Sequence, residues 1–422
     1  MIGLWAVGLM AALGHLVIWV AIYNRLHATA VQRQSKKRLE KCIYLAVTVL
    51  GILILARWIE LTSMEVSLGS FISAERLGGP ILTLYVVACW AATGMVVLRW
   101  LIWKIALRRP VTVKVKRLSL TRLLEAGQSD DPRPPLNEDQ DKPRDVSTTD
   151  PYSFWCGDAL TQKLAKIPGN QILHLEVNEK EISIPDLPEA LRGLTVAHAS
   201  DFHLTGQMTQ AFYHYVVDQI NELQCDLIAL TGDLIDRPGC LPWLEPVFGK
   251  LSAPLGKYYV LGNHDCRIED EAVLRASLEQ SGLKALNGRW EMLEYRSCRL
   301  ALAGNEMPWY RGAEQISGTH ANSNELDDTL KVLLSHSPDQ IDWAHERGFQ
   351  LMLAGHTHGG QIRPPVIGPI VSPSRYGPKY ASGEFLIGGT HLHVSRGVAG
   401  THPLRWNCSP EITRLRLQRA SD

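Results

Sequence analysis

The sequence lacks the cysteine pattern of a disulfide-stabilised protein. Its eight cysteines include no CxxC pair and show no framework spacing, so we interpret nearly all of them as small buried thiols. The sequence also contains no P-loop, no protein-kinase motif set and no GxSxG nucleophile elbow. It therefore gives no support to a disulfide scaffold, a P-loop or kinase enzyme, or a serine hydrolase of the GxSxG type.

The chain as a whole also lacks net charge, because 43 basic and 43 acidic residues balance. Residues 1–124, however, hold 16 Lys and Arg against 4 Asp and Glu, a net charge of +12, and the remainder carries −12. With 422 residues, 45% hydrophobic and 20% charged, the chain is longer than a typical single domain and too apolar to be disordered throughout. A basic, apolar front joined to an acidic back predicts a membrane anchor that carries a soluble domain.

Three apolar stretches predict that this anchor occupies residues 1–107. They are residues 2–22, 43–61 and 79–98, each about long enough to cross a bilayer as a helix. The second is the weakest, since it contains Arg57, although a side chain so close to the end of a span can reach the interface. Buried helices of a soluble fold are the alternative, which three such runs disfavour. The polar His15 inside the first span suggests a contact between helices.

The charges of the connecting segments predict which side of the membrane the C-terminal domain faces. Six Lys or Arg lie between the first and second spans, and seven lie between Lys104 and Arg122 after the third. Three spans put both basic segments on the same side, and the positive-inside rule makes that side cytoplasmic. We therefore expect an integral protein of the plasma or inner membrane whose C-terminal domain lies in the cytoplasm.

Residues 108–150 predict a linker, which is basic at first and rich in Pro and Asp from about residue 126. From 151 to 422 short apolar runs alternate with amphipathic stretches, a pattern that predicts an α/β domain. Closely spaced later strands suggest a second sheet packed on the first. The predicted strands are 171–177, 181–184, 194–199, 226–230, 257–261, 298–303, 331–335, 350–354 and 391–395, and the predicted helices are 209–223, 269–281 and 338–347.

Five of the predicted strands end at residue types that bind metal ions. The motifs are Asp201-Phe202-His203, Gly232-Asp233 with Asp236, Gly262-Asn263-His264-Asp265, His336 after KVLLS, and Gly355-His356-Thr357-His358. Because α/β sheets place ligands at the carboxyl ends of their strands, we expect these loops to converge. Carboxylates, an amide and several imidazoles suit a divalent transition metal better than Mg or Ca alone. Each motif alone is weak evidence, but the five in order predict a metal site.

This set of motifs (D-x-H, G-D-x-x-D, G-N-H-D, H-S-P and G-H-T-H) resembles that of the calcineurin-like metallophosphoesterase superfamily, over roughly residues 165–420. The extended GHTHGGQIRPP at 355–365 and the later VSRGVAG and NCSPEITRLRL segments are similar to its membrane-associated subgroup, which includes transmembrane proteins with a metallophosphoesterase domain. The resemblance implies that residues 151–422 form a four-layer α/β/β/α sandwich, here preceded by three transmembrane helices that hydropathy predicts.

The resemblance also implies a centre of two divalent metal ions, with Mn, Fe and Zn all suited to the ligands. Carried over by motif, the first ion would take Asp201, His203, Asp233 and His358, and the second would take Asp233, Asn263, His336 and His356. Asp233 would therefore bridge the two ions.

The same resemblance implies roles for two neighbouring residues. His264 would stabilise the pentacovalent phosphate or protonate the leaving oxygen, and Asp236 would support the ligands. The chain departs from the family at Gly304-Asn305-Glu306, where relatives often carry Asp after the Gly. Since that position is not a primary ligand, the departure concerns the fit of the substrate.

The implied reaction is hydrolysis of a phosphodiester, pyrophosphate or phosphomonoester bond by a metal-bound hydroxide that attacks phosphorus in line. Because the anchor would hold the domain beside a bilayer, we expect a phospholipid or nucleotide-linked lipid as substrate. A phosphatase or phosphodiesterase of a soluble nucleotide is the alternative. A non-catalytic metal-binding scaffold is an alternative of another class, which the filled ligand positions disfavour. The acidic domain makes a nucleic-acid partner unexpected, and the sequence does not determine the oligomeric state.

A Pro- and Gly-rich loop with three basic residues follows the GHTHGG motif. These residues are Arg363, Arg375 and Lys379. The loop either contacts a phosphate or lipid headgroup, with Arg363 as a candidate substrate contact, or is a solvated surface loop.

Overall fold

The structure, a computed structural model, describes residues 2–31, 33–63, 80–106, 113–125, 150–313 and 329–420. The chain divides into two compact units, Met1–Pro110 and Val111–Asp422. The first unit is helical, and the second contains two β-sheets with helices.

The helical unit consists of α1 (Ile2–His27), α2 (Arg33–Ser63) and α3 (Pro80–Ala106). All three predicted spans fall on these helices, and each helix is long and apolar enough to cross a membrane by length and composition. The helices extend beyond the predicted spans, because the basic residues that end the apolar runs are good helix formers.

Polar side chains form contacts between these apolar helices. His15 Nδ1 lies 2.7 Å from the Tyr85 hydroxyl, and Thr93 Oγ1 donates to the Met10 carbonyl at 2.8 Å. Gly14 lies so close to α3 that a Cβ there would be 1.8 Å from the Cys89 carbonyl oxygen. Polar residues within an apolar helix are satisfied by neighbouring helices, which is the contact that His15 suggested.

The first sheet of the second unit has seven strands in the order β1-β2-β13-β3-β4-β5-β6. The strands are β1 (Val113–Ser119), β2 (His174–Ile184), β3 (Thr195–Ala199), β4 (Leu227–Thr231), β5 (Lys257–Val260), β6 (Lys284–Ala285) and β13 (Glu411–Arg419). Strands β3 to β6 are parallel neighbours, so their carboxyl ends meet at one edge.

The second sheet has six strands in the order β11-β12-β10-β9-β8-β7. They are β7 (Trp290–Tyr295), β8 (Cys298–Asn305), β9 (Leu330–Ser335), β10 (Leu351–Ala354), β11 (Gly383–Ile387) and β12 (Thr390–Val394). Strands β8, β9, β10 and β12 run parallel, and the antiparallel strands β7 and β11 close the two ends.

Three apolar cores separate four layers. Alternate side chains of β4 point to opposite faces, with Ile228 in the core beneath the helices and Leu227 in the core between the sheets. Two short helices, α5 (Pro151–Trp155) and α6 (Ala159–Ala165), precede β2. The helices of the outer layers are α7 (Gln210–Glu222), α8 (Leu244–Phe248) and α9 (Glu271–Gln280) on the first sheet, and α10 (Ile341–Glu346) on the second. This is the α/β/β/α sandwich that the resemblance implied.

The linker prediction differs from the structure in its first part. Residues 113–125 form β1 and the short helix α4 (Leu120–Glu125), and β1 pairs antiparallel with β2 from Val113 to Ser119. An edge strand buries little, and here Leu118 is the buried apolar side chain among basic ones, so the segment resembled a solvated linker. The Pro- and Asp-rich residues 126–149 lie outside the described residues.

We expect a fragment that begins at residue 151 to be less stable than one that begins at residue 111. The shorter fragment loses buried Leu118 and Leu120 as well as the Leu120 carbonyl, which accepts from Trp155 Nε1 at 3.0 Å. Two buried leucines and one hydrogen bond together contribute about 5 kcal/mol. Urea unfolding of both fragments measures this loss, and equal midpoints would contradict the assignment of β1 to the second unit.

Candidate functional site

The predicted site residues lie in loops at the carboxyl ends of five strands. Asp201 and His203 follow β3, Asp233 follows β4, Asn263 and His264 follow β5, His336 follows β9, and His356 and His358 follow β10. The two sheets meet here, since His336 Nδ1 donates to the Thr231 carbonyl at the end of β4 at 2.7 Å. The convergence therefore joins both sheets of the sandwich.

Several of these side chains sit on left-handed backbone. The residues are Asp201 (φ 56°), His203 (48°), Asp233 (53°), His356 (70°) and His358 (50°). Such a conformation costs a non-glycine residue about 1–2 kcal/mol. Glycines allow the closest approaches of the chain, since a Cβ on Gly355 would lie 1.8 Å from Ser200 Oγ and one on Gly397 would lie 2.7 Å from Asp201 Cβ. Gly397 belongs to the VSRGVAG segment, so that segment contacts the site directly.

One cluster of potential ligands contains Asp201, His203, Asp233 and His358. His203 Nε2 lies 3.6 Å from Asp233 Oδ2 and 3.2 Å from His358 Nε2. His358 Nε2 lies 3.5 Å from Asp201 Oδ1. All four side chains are buried or nearly so, which makes their mutual approach costly without a cation.

A second cluster contains Asp233, His336 and His356. His336 Nε2 lies 3.2 Å from Asp233 Oδ2, 3.2 Å from Asn263 Oδ1 and 3.2 Å from His356 Nδ1. Asp233 thus belongs to both clusters through the same oxygen, Oδ2, for which the described residues supply no well-directed hydrogen-bond donor.

The donor atoms of both clusters fit a cation. His203 Nδ1 and His336 Nδ1 face the Asp236 carboxylate and the Thr231 carbonyl, so they carry the ring protons. In the neutral form of each ring the opposite nitrogen, Nε2, carries a lone pair, and in both residues it faces another imidazole nitrogen at 3.2 Å. Converging lone pairs beside buried carboxylates are the arrangement that divalent transition metals bind.

Asp236 connects His203 to His264. Its Oδ1 accepts from His203 Nδ1 at 2.7 Å, and its Oδ2 accepts from His264 Nδ1 at 3.0 Å and from the Arg267 guanidinium. The His264 backbone N–H donates to Asp233 Oδ1 at 2.7 Å. The His264 ring is therefore held beside the first cluster, with its Nε2 atom unoccupied by these bonds and its side chain 18% exposed.

Asp265 is a buried residue to which the sequence motif alone assigned no role. Its Oδ1 accepts the backbone N–H groups of Leu234 and Ile235, both at 2.9 Å, and its Oδ2 accepts those of Asp233 at 2.9 Å and Gly262 at 2.7 Å. One carboxylate thereby holds the loops after β4 and β5 together. The sequence signal that could have indicated this role is the position of the Asp directly after Asn-His in a glycine-rich turn.

Trp309 is a second residue that motif analysis missed. Its ring centroid lies 4.8 Å from that of His356 and 5.6 Å from that of His336. Only the sheet topology could have indicated this contact. Because β8 is parallel to β9, the loop after β8 must reach the same edge of the sheet as His336. Arg363, by contrast, donates to Ser382 Oγ at 3.2 Å, and its described contacts do not join it to either cluster.

The charges of the site shift the pKa values of its imidazoles in opposite directions. Burial disfavours the His203 imidazolium, but the Asp236, Asp201 and Asp233 carboxylates together outweigh it and raise the pKa of His203 to about 10. At His336 burial is likewise outweighed, here by Asp233, Asp201 and the Thr231 carbonyl together, and the pKa rises to about 9. Burial prevails at His358 and lowers its pKa to about 3. The site therefore holds protons on the two imidazoles closest to carboxylates.

Comparison with known proteins agrees with this geometry. The calcineurin-like phosphoesterase family matches residues 194–360, which contain all seven candidate ligands. The chain is 34% identical to the Bacillus subtilis protein named uncharacterized metallophosphoesterase YkuE over 249 residues, which are 58% of this chain and 86% of that protein. This chain belongs to the calcineurin-like phosphoesterase family. It is accordingly a metal-dependent phosphoesterase, a hydrolase of phosphoric ester bonds.

Two further relatives show the range of this family. The chain is 30% identical to phosphodiesterase YaeI of Escherichia coli over 200 residues, covering 46% of this chain and 72% of that protein. It is 28% identical to a Danio rerio protein named transmembrane protein with metallophosphoesterase domain, over 58% of each chain. The phosphoesterase unit thus has relatives with and without a transmembrane designation in their names.

We expect Asp265→Asn to destabilise the phosphoesterase unit by about 3 kcal/mol, because the amide NH₂ would face two of the four buried N–H groups and leave them unpaired. Chemical denaturation monitored by circular dichroism measures the loss. Asp270→Asn is the matched control, since Asp270 also accepts two backbone N–H groups but is exposed at the start of α9, where Asn caps equally well. Equal midpoints for the two variants would contradict the role assigned to Asp265.

We also expect metal binding to release protons near neutral pH. Protonated His203 and His336 cannot act as ligands, and their pKa values of about 10 and about 9 keep them protonated at pH 7. Adding Mn²⁺ to metal-free protein in weak buffer at pH 7 should release about two protons, and release should fall as the pH approaches 10. His203→Gln should release about one proton fewer. Binding without proton release at pH 7 would contradict the assignment.

Proposed function

We propose that this chain is a membrane-anchored phosphoesterase with two divalent metal ions at its active site, and that it cleaves the phosphate ester or pyrophosphate of a lipid. The proposal assigns α1 to α3 as the anchor and residues 151–422, together with the strand at 113–119, as the catalytic domain. The observation that carries it is the position of Asp233 Oδ2, which lies 3.6 Å from His203 Nε2 in one cluster and 3.2 Å from His336 Nε2 in the other.

The two clusters define how the ions would be held. Asp201, His203, Asp233 and His358 would hold the first ion, and Asp233, Asn263, His336 and His356 would hold the second. Nitrogen and oxygen donors in these numbers favour Mn, Fe or Zn. When bound, such ions acidify water and neutralise phosphoryl oxygens. The contribution of the chain is to fix Asp233 between the two imidazole groups on loops that the sheets hold in place.

His264 would supply a proton from its Nε2 atom. Asp236 accepts the proton on His264 Nδ1, so a proton on Nε2 is present only in the imidazolium form. Burial lowers the pKa of His264, while the nearby Asp233 and Asp236 carboxylates act in the opposite direction. A phosphate anion beside Nε2 would favour the imidazolium further. The leaving oxygen would then receive its proton from His264 Nε2.

The location of the substrate follows from the anchor. Three helices able to cross a membrane precede the phosphoesterase unit, and the basic segments that flank them favour a cytoplasmic catalytic domain by the positive-inside rule. A domain held at a membrane meets phospholipids and nucleotide-linked lipids at high effective concentration. We therefore propose a lipid substrate at the cytoplasmic face of the plasma or inner membrane.

A soluble nucleotide is the second candidate substrate, since the same clusters would act on it. Trp309 supports this alternative, because an aromatic ring within 5 Å of His356 could stack on a nucleobase. A nucleotide-linked lipid would account for both the proposed membrane anchor and the position of Trp309. A non-catalytic scaffold is disfavoured by the complete ligand set.

The test uses the full-length chain in nanodiscs, stripped of metal and supplied with Mn, Fe, Zn, Co or Mg. Bis-p-nitrophenyl phosphate and p-nitrophenyl phosphate report diester and monoester cleavage, and CDP-diacylglycerol in the same nanodiscs reports cleavage of a nucleotide-linked lipid. We expect metal-dependent turnover of the diester and faster turnover of the lipid than of a soluble nucleotide such as CDP-choline.

We expect Asp233→Asn and His264→Gln each to lower kcat by at least about 100-fold. His345→Gln, which changes an exposed imidazole on α10, should leave kcat unchanged. Metal binding without turnover of any substrate would favour the scaffold. Faster cleavage of soluble nucleotides than of lipid would replace the lipid by a soluble substrate.

A further inference from the structure

The phosphoesterase unit carries an exposed apolar surface that begins four residues after His358. We call it the apolar loop face, and it consists of Ile362, Val366, Ile367, Ile370, Val371 and Trp406. Val366 and Ile367 are the most exposed of the six, at 75% and 62%. Soluble proteins seldom expose a contiguous group of large aliphatic side chains unless the surface binds something.

The backbone holds this face outward as a fixed projection. The Gly368 N–H donates to the Pro364 carbonyl at 3.0 Å and closes a turn with Val366 and Ile367 at its tip. The returning chain packs on Gly360, where a Cβ would lie 2.6 Å from Pro369 Cβ. Ile362 pairs with Trp406 in a parallel bridge. Because the prolines and these contacts restrain the loop, its apolar side chains do not turn inward.

Val366 has a backbone conformation that its side chain disfavours. Its φ is +71°, a region where β-branched residues are rare because of steric conflict with the backbone. The exposed side chain recovers little of this cost by burial in the fold. Asn or Gly would suit the turn better, so the presence of valine indicates that the side chain serves a contact outside the folded unit.

Basic side chains occur in the same Pro- and Gly-rich loop as the apolar loop face, and Arg363 directly follows Ile362. Arg363 donates to Ser382, and Lys379 lies over the rings of Tyr376 and Tyr380. In the part of the chain that the structure describes, neither has a carboxylate partner within salt-bridge distance, whereas Arg375 pairs with Asp342 at 3.2 Å. Exposed aliphatic side chains, together with basic side chains of the same loop that lack a described carboxylate partner, match the acyl region and the anionic headgroups of a bilayer.

The same chain carries the three apolar helices that would enter a bilayer. Helix α3 ends at Ala106 and β1 begins at Val113, seven residues later, a chain length of at most about 25 Å. Any membrane that α3 enters is therefore joined covalently to the phosphoesterase unit, and weak contacts between the two form at high effective concentration.

We propose that the apolar loop face docks on the surface of an anionic bilayer, with Val366 and Ile367 inserted among the lipids, and so holds the mouth of the active site at the membrane. This inference rests on the membrane location proposed above. It adds the surface through which the phosphoesterase unit would meet its lipid substrate.

The test measures hydrogen exchange of the loop amides at 362–372 in the full-length chain, in nanodiscs of phosphatidylcholine alone or with phosphatidylglycerol. We expect exchange about tenfold slower or more in the anionic nanodiscs, and we expect Val366→Asp/Ile367→Asp to remove that protection. Val273→Asp, at a 47% exposed valine on α9, is the matched control and should retain it.

A second variant separates docking from folding. Val366→Asn should raise the Tm of the protein, because Asn tolerates the left-handed conformation, and should at the same time reduce loop protection in anionic nanodiscs. If Val366 had only a structural role, the substitution would change the Tm and the loop protection in the same direction.

Two outcomes would overturn the proposal: loop exchange that is equal in both lipid compositions and in the aspartate variant, or protection that depends on protein concentration, which would identify a second copy as the occupant. Turnover of bis-p-nitrophenyl phosphate by the unchanged protein in the same nanodiscs reports the proposed chemistry separately. An active enzyme without loop protection would therefore refute the docking surface alone.

Discussion

The carboxylate of Asp265 organises the centre of the site. It accepts four backbone N–H groups from the loops after β4 and β5, and those loops carry Asp233, Asn263 and His264. Without an acceptor, the four buried N–H groups would each carry a desolvation cost. Because the same carboxylate serves both loops, Asp233 and Asn263 are positioned together. The approach of the two imidazole clusters to Asp233 Oδ2 depends on that arrangement.

The site contains several locally unfavourable features, and the stability of the surrounding sandwich compensates for them. Five of its residues hold left-handed backbone, and its lone pairs and carboxylates face one another in a buried space. These features are unfavourable for a chain that only folds. They become favourable when cations occupy the clusters, since the repulsion between donor atoms is then replaced by coordination. The same reasoning underlies the proposal for the exposed valine at 366, whose left-handed backbone is a local cost.

The sequence predicted those parts of the fold whose signal is local. The strands that precede the motifs, such as 226–230 for Leu227–Thr231, were found because they are buried apolar runs that stop at a polar turn. Strand β2 was predicted as two pieces because Asn178 and Lys180 interrupt its apolar pattern. Both side chains are buried and find partners far along the chain, Glu411 at 2.7 Å and Glu384 at 2.6 Å. No local pattern reveals such long-range pairs.

The same distinction between local and long-range signals explains which site residues the sequence predicted and why it did not predict the edge strand β1. Motif spacing identified the candidate ligands because each follows a strand end, whereas the contact of Trp309 with His356 depends on which strand lies beside which. Strand β1 escaped notice because its stability comes from pairing with β2, about sixty residues later, and from pairs such as Arg117 with Glu176 at 3.0 Å. Exposed basic residues that alternate along an edge strand look the same in sequence as a solvated linker.

The position of β1 changes how the two units are connected. Trp155 in helix α5 (Pro151–Trp155) donates to the carbonyl of Leu120 in α4, so both ends of the segment 126–149 are held at one place on the phosphoesterase unit. The six residues 107–112 are instead the connection between the units. The Pro- and Asp-rich segment that composition identified as the linker therefore lies within the sequence of the second unit, between α4 and α5, and does not join the two units.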